Sequence, residues 1–558
     1  MKVRVSNGKY FLIGGKPALF NPGSVALTSS LTLIDFYRGN ASSLAVVQRS
    51  AATRGSTLPT ANVRVRFSCT GAQPQAVNAR VVRVSTAAVV MAGVALSSVN
   101  FVGNEGVGTL MNVPQGGDYR LEIYDPAQPS NPATTSAGGA IWGVGVCGLL
   151  IGQSNQVSLL GAGYYNQGVP GKGAGEFDYA NSAEGRSRFS FFGDCGFHGA
   201  SAGYNGPTGS SGGSNTANGG VLGFARILAN QLEAKYGYPV PVCISPWAQG
   251  QTGQEQWDPE TQDGWLNKLL FGSGTSGNDI GFKSPVNFHP GDFEWAAEHQ
   301  GEANSNGTRA AMFNALKGSY LNILAYLAPY GRTSANFGFF PSMLGVYGNL
   351  GGIEKIRGAV LDFENWAKAN GYTNAEIGLN CIDLDPSDGG DQALHFRDTN
   401  QPYASRGIRR QLQSVSKFLG CSTVSGVGPR IGTVSRSGLT VNVAINHEAG
   451  SAQALVTRAG GAPTGFYANS KSDFTGIDTA VTAAITSGSN IAVTANDGSS
   501  LQGRYLKYMG GADGTAQSYY PNITNAVYNT FSYPTGATGS DLYTGLPLLP
   551  TPDAILVP

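Results

Sequence analysis

The stretch LLIGQSNQVS, residues 149–158, decides how the central part of this chain is interpreted. Its apolar residues run directly into Gly152, Gln153, Ser154 and Asn155, a pattern typical of a buried strand that ends in a tight turn. Many hydrolases place their nucleophilic serine on such a turn. The rest of the chain would then have to supply a base, a group that orients the base, and donors for an oxyanion.

The composition limits the classes of protein to which the chain can belong. A length of 558 residues predicts two to four domains. Charged residues make up 13% of the chain and the net charge is +1, so neither nucleic acid nor an anionic membrane is an expected partner. No run of about 18 apolar residues predicts a membrane span, and no apolar core of a signal peptide is visible at the start.

The six cysteines are widely spaced and include no CxxC pair, which excludes a zinc ribbon and gives no clear disulfide framework. Three of them lie within apolar runs and are expected to be small buried side chains. The six are Cys69, Cys147, Cys195, Cys243, Cys381 and Cys421.

Hydrophobic periodicity divides the chain into three segments. Residues 1–126 alternate in the manner of strands and predict an all-β sandwich, and residues 127–140 follow as a linker. Residues 141–420 alternate apolar runs with helical patterns, which predicts an α/β domain with a doubly wound, five-stranded parallel sheet. Residues 421–558 return to a β pattern and predict a C-terminal β-rich module.

The central segment has five predicted strands and four predicted helices. The strands are 144–152, 240–248, 293–299, 335–344 and 375–384, and the helices are 221–237, 309–328, 353–371 and 403–420. Ligands bind beyond the carboxyl ends of the strands in such sheets, and the GQSN turn follows the first strand.

Polar blocks follow four of these strands. They are GQSN at 152–155, GQT at 250–252 with a tryptophan at 257, HQGEAN at 299–304 and DQALHF at 391–396. Four blocks in this order resemble the SGNH hydrolase superfamily, specifically its carbohydrate-esterase branch, which includes sialate O-acetylesterase and acetylxylan esterases. The resemblance covers residues 141–420, about half of the chain.

These residue types suit a serine esterase. Ser154 needs a base to remove its proton, and we expect His395 to be that base, with Asp391 orienting the imidazole. The resemblance implies an oxyanion hole formed by the backbone N–H groups of Ser154 and Gly250 and the side-chain amide of Gln300. Neither a metal nor an organic cofactor is implied.

The chain departs from the pattern of this branch at two positions. The branch usually spaces its late block Asp-x-x-His, whereas Asp391 and His395 are one residue further apart, so Asp388 stays open as the alternative acid. Gln251 stands where the branch commonly has a glycine. That change keeps a backbone donor but alters the wall of the pocket.

The chain also contains a rival nucleophile motif, and the candidate residues have structural interpretations. GASAG and GSSGG match a nucleophile elbow at Ser201 and Ser211, but they lie in a glycine-serine loop rather than between a strand and a helix. The structural alternatives are helix capping by Ser154, a buried histidine at His395, a structural carboxylate at Glu302 that bonds the turn or a neighbouring loop, and packing for Trp247 and Trp257.

The sequence therefore predicts a serine esterase that removes acetyl or another small acyl group from a carbohydrate. The flanking β segments favour a large substrate, an acetylated polysaccharide. They are compatible with a homotrimeric phage tail spike or fibre in a virion, and a secreted bacterial enzyme is the competing origin. Two alternatives remain open: a polysaccharide-binding or receptor-binding protein with a degenerate hydrolase domain, and an acyltransferase.

Overall fold

The N-terminal segment folds into strands because its apolar and polar residues alternate. Along Thr60–Thr70 every second side chain is buried, from Ala61 to Cys69. The strands are β1 (Phe11–Ile13), β2 (Lys16–Ala18), β3 (Ser30–Asp35), β4 (Ala45–Gln48), β5 (Thr60–Thr70), β6 (Asn78–Arg83), β7 (Val89–Ala95), β8 (Ser97–Val102), β9 (Glu105–Pro114), β10 (Gly116–Tyr124) and β11 (Ala133–Thr134).

The computed structural model describes a defined part of the chain. Its residues are 11–13, 16–18, 30–35, 45–134, 142–160, 189–193, 196–199, 219–262, 264–271, 292–345, 352–385, 395–396, 403–449, 454–475, 479–510, 525–531 and 545–558. Within them, no helix is long and apolar enough to cross a membrane.

The described N-terminal strands belong to the two-stranded sheet β1-β2 and to two larger sheets. One has the strand order β3-β5-β9-β8, and in the other β10 lies beside β6 and β6 beside β7. Side chains from both sheets, such as Phe67 and Ile123, are buried in one hydrophobic core. That core continues without a break into the central segment, where it includes Leu149 and Trp295.

The central segment alternates strands and helices. Its strands are β12 (Trp142–Gly152), β13 (Phe189–Gly193), β14 (Gly196–Gly199), β15 (Val242–Ala248), β16 (Trp295–His299), β17 (Gly338–Met343) and β18 (Leu379–Asn380). Its helices are α1 (Ser154–Leu160), α2 (Gly219–Tyr236), α3 (Trp265–Phe271), α4 (Arg309–Leu327), α5 (Ile353–Ala369) and α6 (Tyr403–Phe418). The four predicted helices correspond to α2, α4, α5 and α6, each within two residues of its predicted ends.

The eleven-residue strand β12 pairs with strands of both the N-terminal and the central segment. Its first half pairs antiparallel with β10 and parallel with β4 from the N-terminal segment. Its second half lies between β15 and β16 and pairs parallel with both. All of its residues are buried, as expected for a strand covered on both faces.

The sheet is therefore larger and more mixed than the expected five-stranded parallel one. Parallel pairing runs through β15, β12, β16, β17 and β18, each of which overlaps one of the five predicted apolar runs. β13 adds a further parallel strand beside β15, and β14 adds an antiparallel one beside β13. Because β12 also pairs with N-terminal strands, the whole forms one sheet of 12 strands.

A buried ionic cluster lies at the junction of the N-terminal and central segments. Glu294, which precedes β16, accepts hydrogen bonds from Arg49 at 2.8 Å and from Arg54 at 2.9 Å. Arg332 pairs with Asp292 through two bonds and also donates to the backbone carbonyl of Arg49 at 2.6 Å. Burial alone raises the pKa of the Glu294 carboxyl, but the arginine charges outweigh it and lower the pKa.

The C-terminal segment forms a second core. Its strands are β19 (Arg430–Ser437), β20 (Thr440–Asn446), β21 (Leu455–Thr457), β22 (Phe466–Asn469), β23 (Val481–Ser487), β24 (Asn490–Ala495), β25 (Tyr505–Tyr508), β26 (Val527–Asn529) and β27 (Ile555–Leu556). Ile382 of the central segment is buried in this core. The Tyr528 hydroxyl donates to Asp383 at 2.8 Å, and Asp383 also pairs with Arg410.

We predict that Glu294→Gln lowers the free energy of unfolding by about 3–5 kcal/mol, because it leaves buried arginine charges without a counter-charge. Urea denaturation measures the loss. Glu105→Gln is the matched control, since Glu105 pairs with Arg66 at an exposed site and its loss should cost only about 0–1 kcal/mol. Equal losses for the two variants would contradict a stabilising role for the buried cluster.

Candidate active site

Three parallel strands bring their carboxyl ends to one edge of the sheet. In the register of the sheet, Gly152 at the end of β12 lies beside Ala248 of β15 and His299 of β16. The residues that follow each strand are therefore neighbours across the edge. This places the GQSN turn between the Gly250 turn and Gln300.

Gly152 allows β12 to approach β16 closely. Its φ is +143°, and a Cβ atom added there would lie 2.1 Å from the carbonyl oxygen of His299, so any other residue would be strained. The backbone N–H of Gln153 donates to the same carbonyl at 3.1 Å, and the Gln249 N–H donates to the Gly152 carbonyl at 2.9 Å. Helix α1 then begins at Ser154, which is half-buried.

The carboxylate of Glu302 binds the GQSN turn from the β16 side. Its Oε1 accepts from Asn155 Nδ2 at 2.8 Å and lies 2.6 Å from His299 Nε2, and its Oε2 accepts from Gln153 Nε2. Glu302 is only 8% exposed. The expectation that Glu302 binds the turn is confirmed. The QGE block in the sequence pointed to Glu302, but it did not reveal which side chains the carboxylate binds.

His299 lies behind Glu302 and is fully buried. Its Nε2 lies within hydrogen-bond distance of the Glu302 carboxyl, so the two buried groups share one hydrogen bond. The other ring nitrogen, Nδ1, lies 3.8 Å from Cys381 Sγ. Burial raises the pKa of the Cys381 thiol well above its ordinary value, so this thiol is neutral.

The turn after β15 forms the other wall of the site. Gln251 has a φ of +63°, in the left-handed region that glycine adopts without strain. Thr252 Oγ1 accepts from Trp257 Nε1 at 3.1 Å, and Trp257 is completely buried, so its predicted packing role is confirmed. Gln300 is buried and donates its side-chain amide to the Thr252 carbonyl, while Gly250 is half-buried.

The segment containing His395 reaches the GQSN turn through its neighbour. The backbone N–H of Phe396 donates to Asn155 Oδ1 at 3.0 Å, and the Phe396 ring meets the His299 ring edge to face at 5.6 Å. His395 is half-buried. This link joins residues 241 positions apart, and no signal in the sequence predicted it.

Several predicted residues lie outside the described part of the chain. They are Asp391, Asp388, Ser201 and Ser211, and the side chain of Trp247. Within the described part, no group of three or more His, Cys, Asp or Glu side chains could hold a metal ion.

A second buried polar pair lies beneath the site. Gln254 Nε2 donates to Glu298 Oε1 at 2.9 Å, and both side chains are almost completely inaccessible. Burial raises the pKa of Glu298 to about 8, and the hydrogen bond from Gln254 only partly opposes this shift. The folded protein therefore holds a proton on Glu298 at neutral pH, which the unfolded chain has lost.

We predict that this proton makes the fold less stable as the pH rises. The folded pKa lies above the ordinary value of 4.5, so stability is fully present below about pH 4.5 and falls until about pH 8. Glu298→Gln mimics the protonated carboxyl group. We expect this variant to lose less unfolding free energy than the wild-type protein as the pH rises, by at most about 5 kcal/mol. Thermal unfolding from about pH 5 to about pH 8 measures the slope. Glu260→Gln, at an exposed carboxylate, is the control, and an unchanged slope in Glu298→Gln would refute the assignment.

No protein-family model matches this chain, and no curated protein matches it. Among solved structures, a carbohydrate acetylesterase from Xanthomonas citri has a TM-score of 0.53 and 15% sequence identity, with 94% of this chain and 99% of that chain covered. A protein from Arabidopsis thaliana has a TM-score of 0.32 and 16% identity, covering 49% of this chain and 97% of that one.

A carbohydrate esterase family 2 enzyme with a carbohydrate-binding domain from Corynascus thermopiles (Myceliophthora fergusii) is more distant. Its TM-score is 0.27 at 11% identity, with 70% of this chain and 100% of that chain covered. The Xanthomonas citri comparison extends over nearly the full length of both proteins. The chain thus shares its fold, flanking β segments included, with a carbohydrate acetylesterase.

Proposed function

We propose that this chain is a serine esterase of the SGNH type that removes O-acetyl groups from a carbohydrate. The observation that carries the proposal is the hydrogen bond from the Phe396 N–H to Asn155 Oδ1. His395, the proposed base, directly precedes Phe396, and Ser154, the proposed nucleophile, directly precedes Asn155, so this bond supports pairing the two. A nucleophile and a base brought together at the edge of a parallel sheet are the parts that acyl transfer requires.

The proposed reaction has two halves. His395 accepts the proton of the Ser154 hydroxyl as its oxygen attacks the ester carbonyl, and the proton then passes to the leaving sugar oxygen. Water attacks the resulting acyl-serine with His395 again as the base, which releases acetate. Asp391 is the proposed partner of His395, and Asp388 is the alternative.

The oxyanion of each tetrahedral intermediate needs preorganised donors, each worth about 3–4 kcal/mol. The proposed donors are the N–H groups of Ser154 and Gly250 and the Gln300 amide. An amide nitrogen carries two hydrogens, so Gln300 can bond the Thr252 carbonyl and still offer one to substrate. The carbonyl bond supports this role because it holds the amide in place.

The shared fold with a carbohydrate acetylesterase supports a carbohydrate ester as the proposed class of substrate. We propose that the substrate is an acetylated polysaccharide, because β segments at both ends of the core add surface that a small ester does not need. A homotrimeric tail spike in a virion, or a secreted enzyme, is the proposed setting. A protein that binds the polysaccharide without cleaving it is the alternative.

We predict that Ser154→Ala and His395→Ala each lower acetate release by at least about 10³-fold, because each removes one part of the nucleophile–base pair. Acetate released from acetylated xylan and from p-nitrophenyl acetate is the measurement. The paired substitutions Asp391→Asn and Asp388→Asn identify the acid, with the larger loss expected for Asp391→Asn.

Ser201→Ala is the control for the rival elbow and should retain activity. If Ser201→Ala abolishes activity and Ser154→Ala retains it, the nucleophile is Ser201 in the glycine-serine loop and not Ser154. If the wild-type protein binds acetylated xylan but releases no acetate, the polysaccharide-binding alternative replaces the esterase.

A further inference from the structure

Asn155 has both ends of its side-chain amide fixed by different parts of the chain. Nδ2 donates to Glu302 Oε1 at 2.8 Å, and Oδ1 accepts from the Phe396 N–H at 3.0 Å. The orientation of the amide is unambiguous, because a backbone N–H can only donate and a carboxylate can only accept. Asn155 is 1% exposed, so water does not compete for either bond.

The anchor behind Asn155 is itself rigid. Glu302 also accepts from Gln153 and is hydrogen-bonded to His299, whose ring faces the Cys381 thiol. The loop that begins at Gly301 is equally confined, because Gly301 has a φ of +132° and an added Cβ would lie 2.7 Å from the Ile356 side chain. Asn155 is therefore held against a fixed carboxylate rather than a mobile one.

We propose that Asn155 is a positioning residue that sets the distance between the nucleophile turn and the base segment. The inference rests on the proposed function and adds a coupling residue to it. Asn155 follows Ser154, and its backbone partner follows His395, so one amide connects the immediate neighbours of nucleophile and base. Misplacement of a catalytic group by about 1 Å costs about 10²-fold in rate, so this connection controls kcat.

Gln156 provides a matched control next to Asn155. It is also a completely buried amide on α1, and it exchanges hydrogen bonds with Gln411 at 2.8 and 3.2 Å. Gln156→Ala therefore removes a buried amide pair from the same helix without touching Glu302 or Phe396. A purely structural role for Asn155 predicts the same consequences for the two variants.

We predict that Asn155→Ala lowers kcat on p-nitrophenyl acetate by about 10²-fold and leaves KM within about threefold. Gln156→Ala should leave kcat within about threefold even if it lowers the unfolding temperature as much. Steady-state kinetics and thermal unfolding of both purified full-length variants make the comparison.

Asn155→Asp tests the contact with Glu302 separately. It keeps an oxygen that accepts from the Phe396 N–H, but it replaces the donor to Glu302 with a second carboxylate. A proton taken up by this pair restores an O–H donor, so the ratio of variant to wild-type kcat should rise as the pH falls from about 8 to about 5.5. The titratable groups that face the side chain at position 155 are Glu302 and His299, and Cys381 lies behind His299.

The possible outcomes separate the two proposals. If Asn155→Ala loses no more kcat than Gln156→Ala, or the Asn155→Asp ratio is flat with pH, Asn155 is not a positioning residue although the esterase proposal stands. If wild-type protein has no esterase activity, the proposed function fails first. The positioning role is supported if Asn155→Ala loses much more kcat than Gln156→Ala and the relative kcat of Asn155→Asp rises as the pH falls.

Discussion

The close approach of β12 to β16 at Gly152 is the constraint on which the candidate site depends. No side chain fits between this residue and the His299 carbonyl, and the bond from the Gln153 N–H closes the contact. The approach brings the GQSN turn within reach of Glu302, which then binds Gln153 and Asn155. A strand spacing fixed by the absence of one Cβ thus determines where the predicted nucleophile is presented.

The flanking β segments are bound to the core by contacts that an independently folded module would not need. β12 continues from the N-terminal strands into the central sheet, and the buried charges of Arg49, Glu294 and Arg332 join the two segments. On the other side, Tyr528 of the C-terminal segment donates to Asp383, about twelve residues before His395. Both flanks therefore help to hold the strands whose ends form the site.

The sequence predicted the parts of the fold that depend on local pattern. Long amphipathic segments such as 353–371 predicted helices, and continuous apolar runs predicted the central strands. The short helices α1 and α3 and the strands β13 and β14 were missed, since four to seven residues give too little periodicity. The sheet size was underestimated, because nothing local shows that β12 is shared with N-terminal strands.

In the candidate site, too, the local motifs could be predicted and the long-range contacts could not. GQSN and QGE were visible as motifs, and a turn-binding carboxylate at Glu302 could be anticipated from its place after a strand. The contacts that organise the site join residues far apart in the chain, such as Asn155 with Phe396 and Glu294 with Arg49. Hydrogen bonds over such separations depend on the complete fold, and no spacing rule in a single sequence reveals them.

The identity of the nucleophile is tested most directly by covalent labelling. Incubation with diethyl p-nitrophenyl phosphate, which phosphorylates activated serines, followed by peptide mass spectrometry, locates the modified residue. The account predicts one diethyl phosphate group on Ser154, appearing in step with the loss of acetate release. Labelling of another serine, or release of acetate by a fully labelled protein, would contradict it.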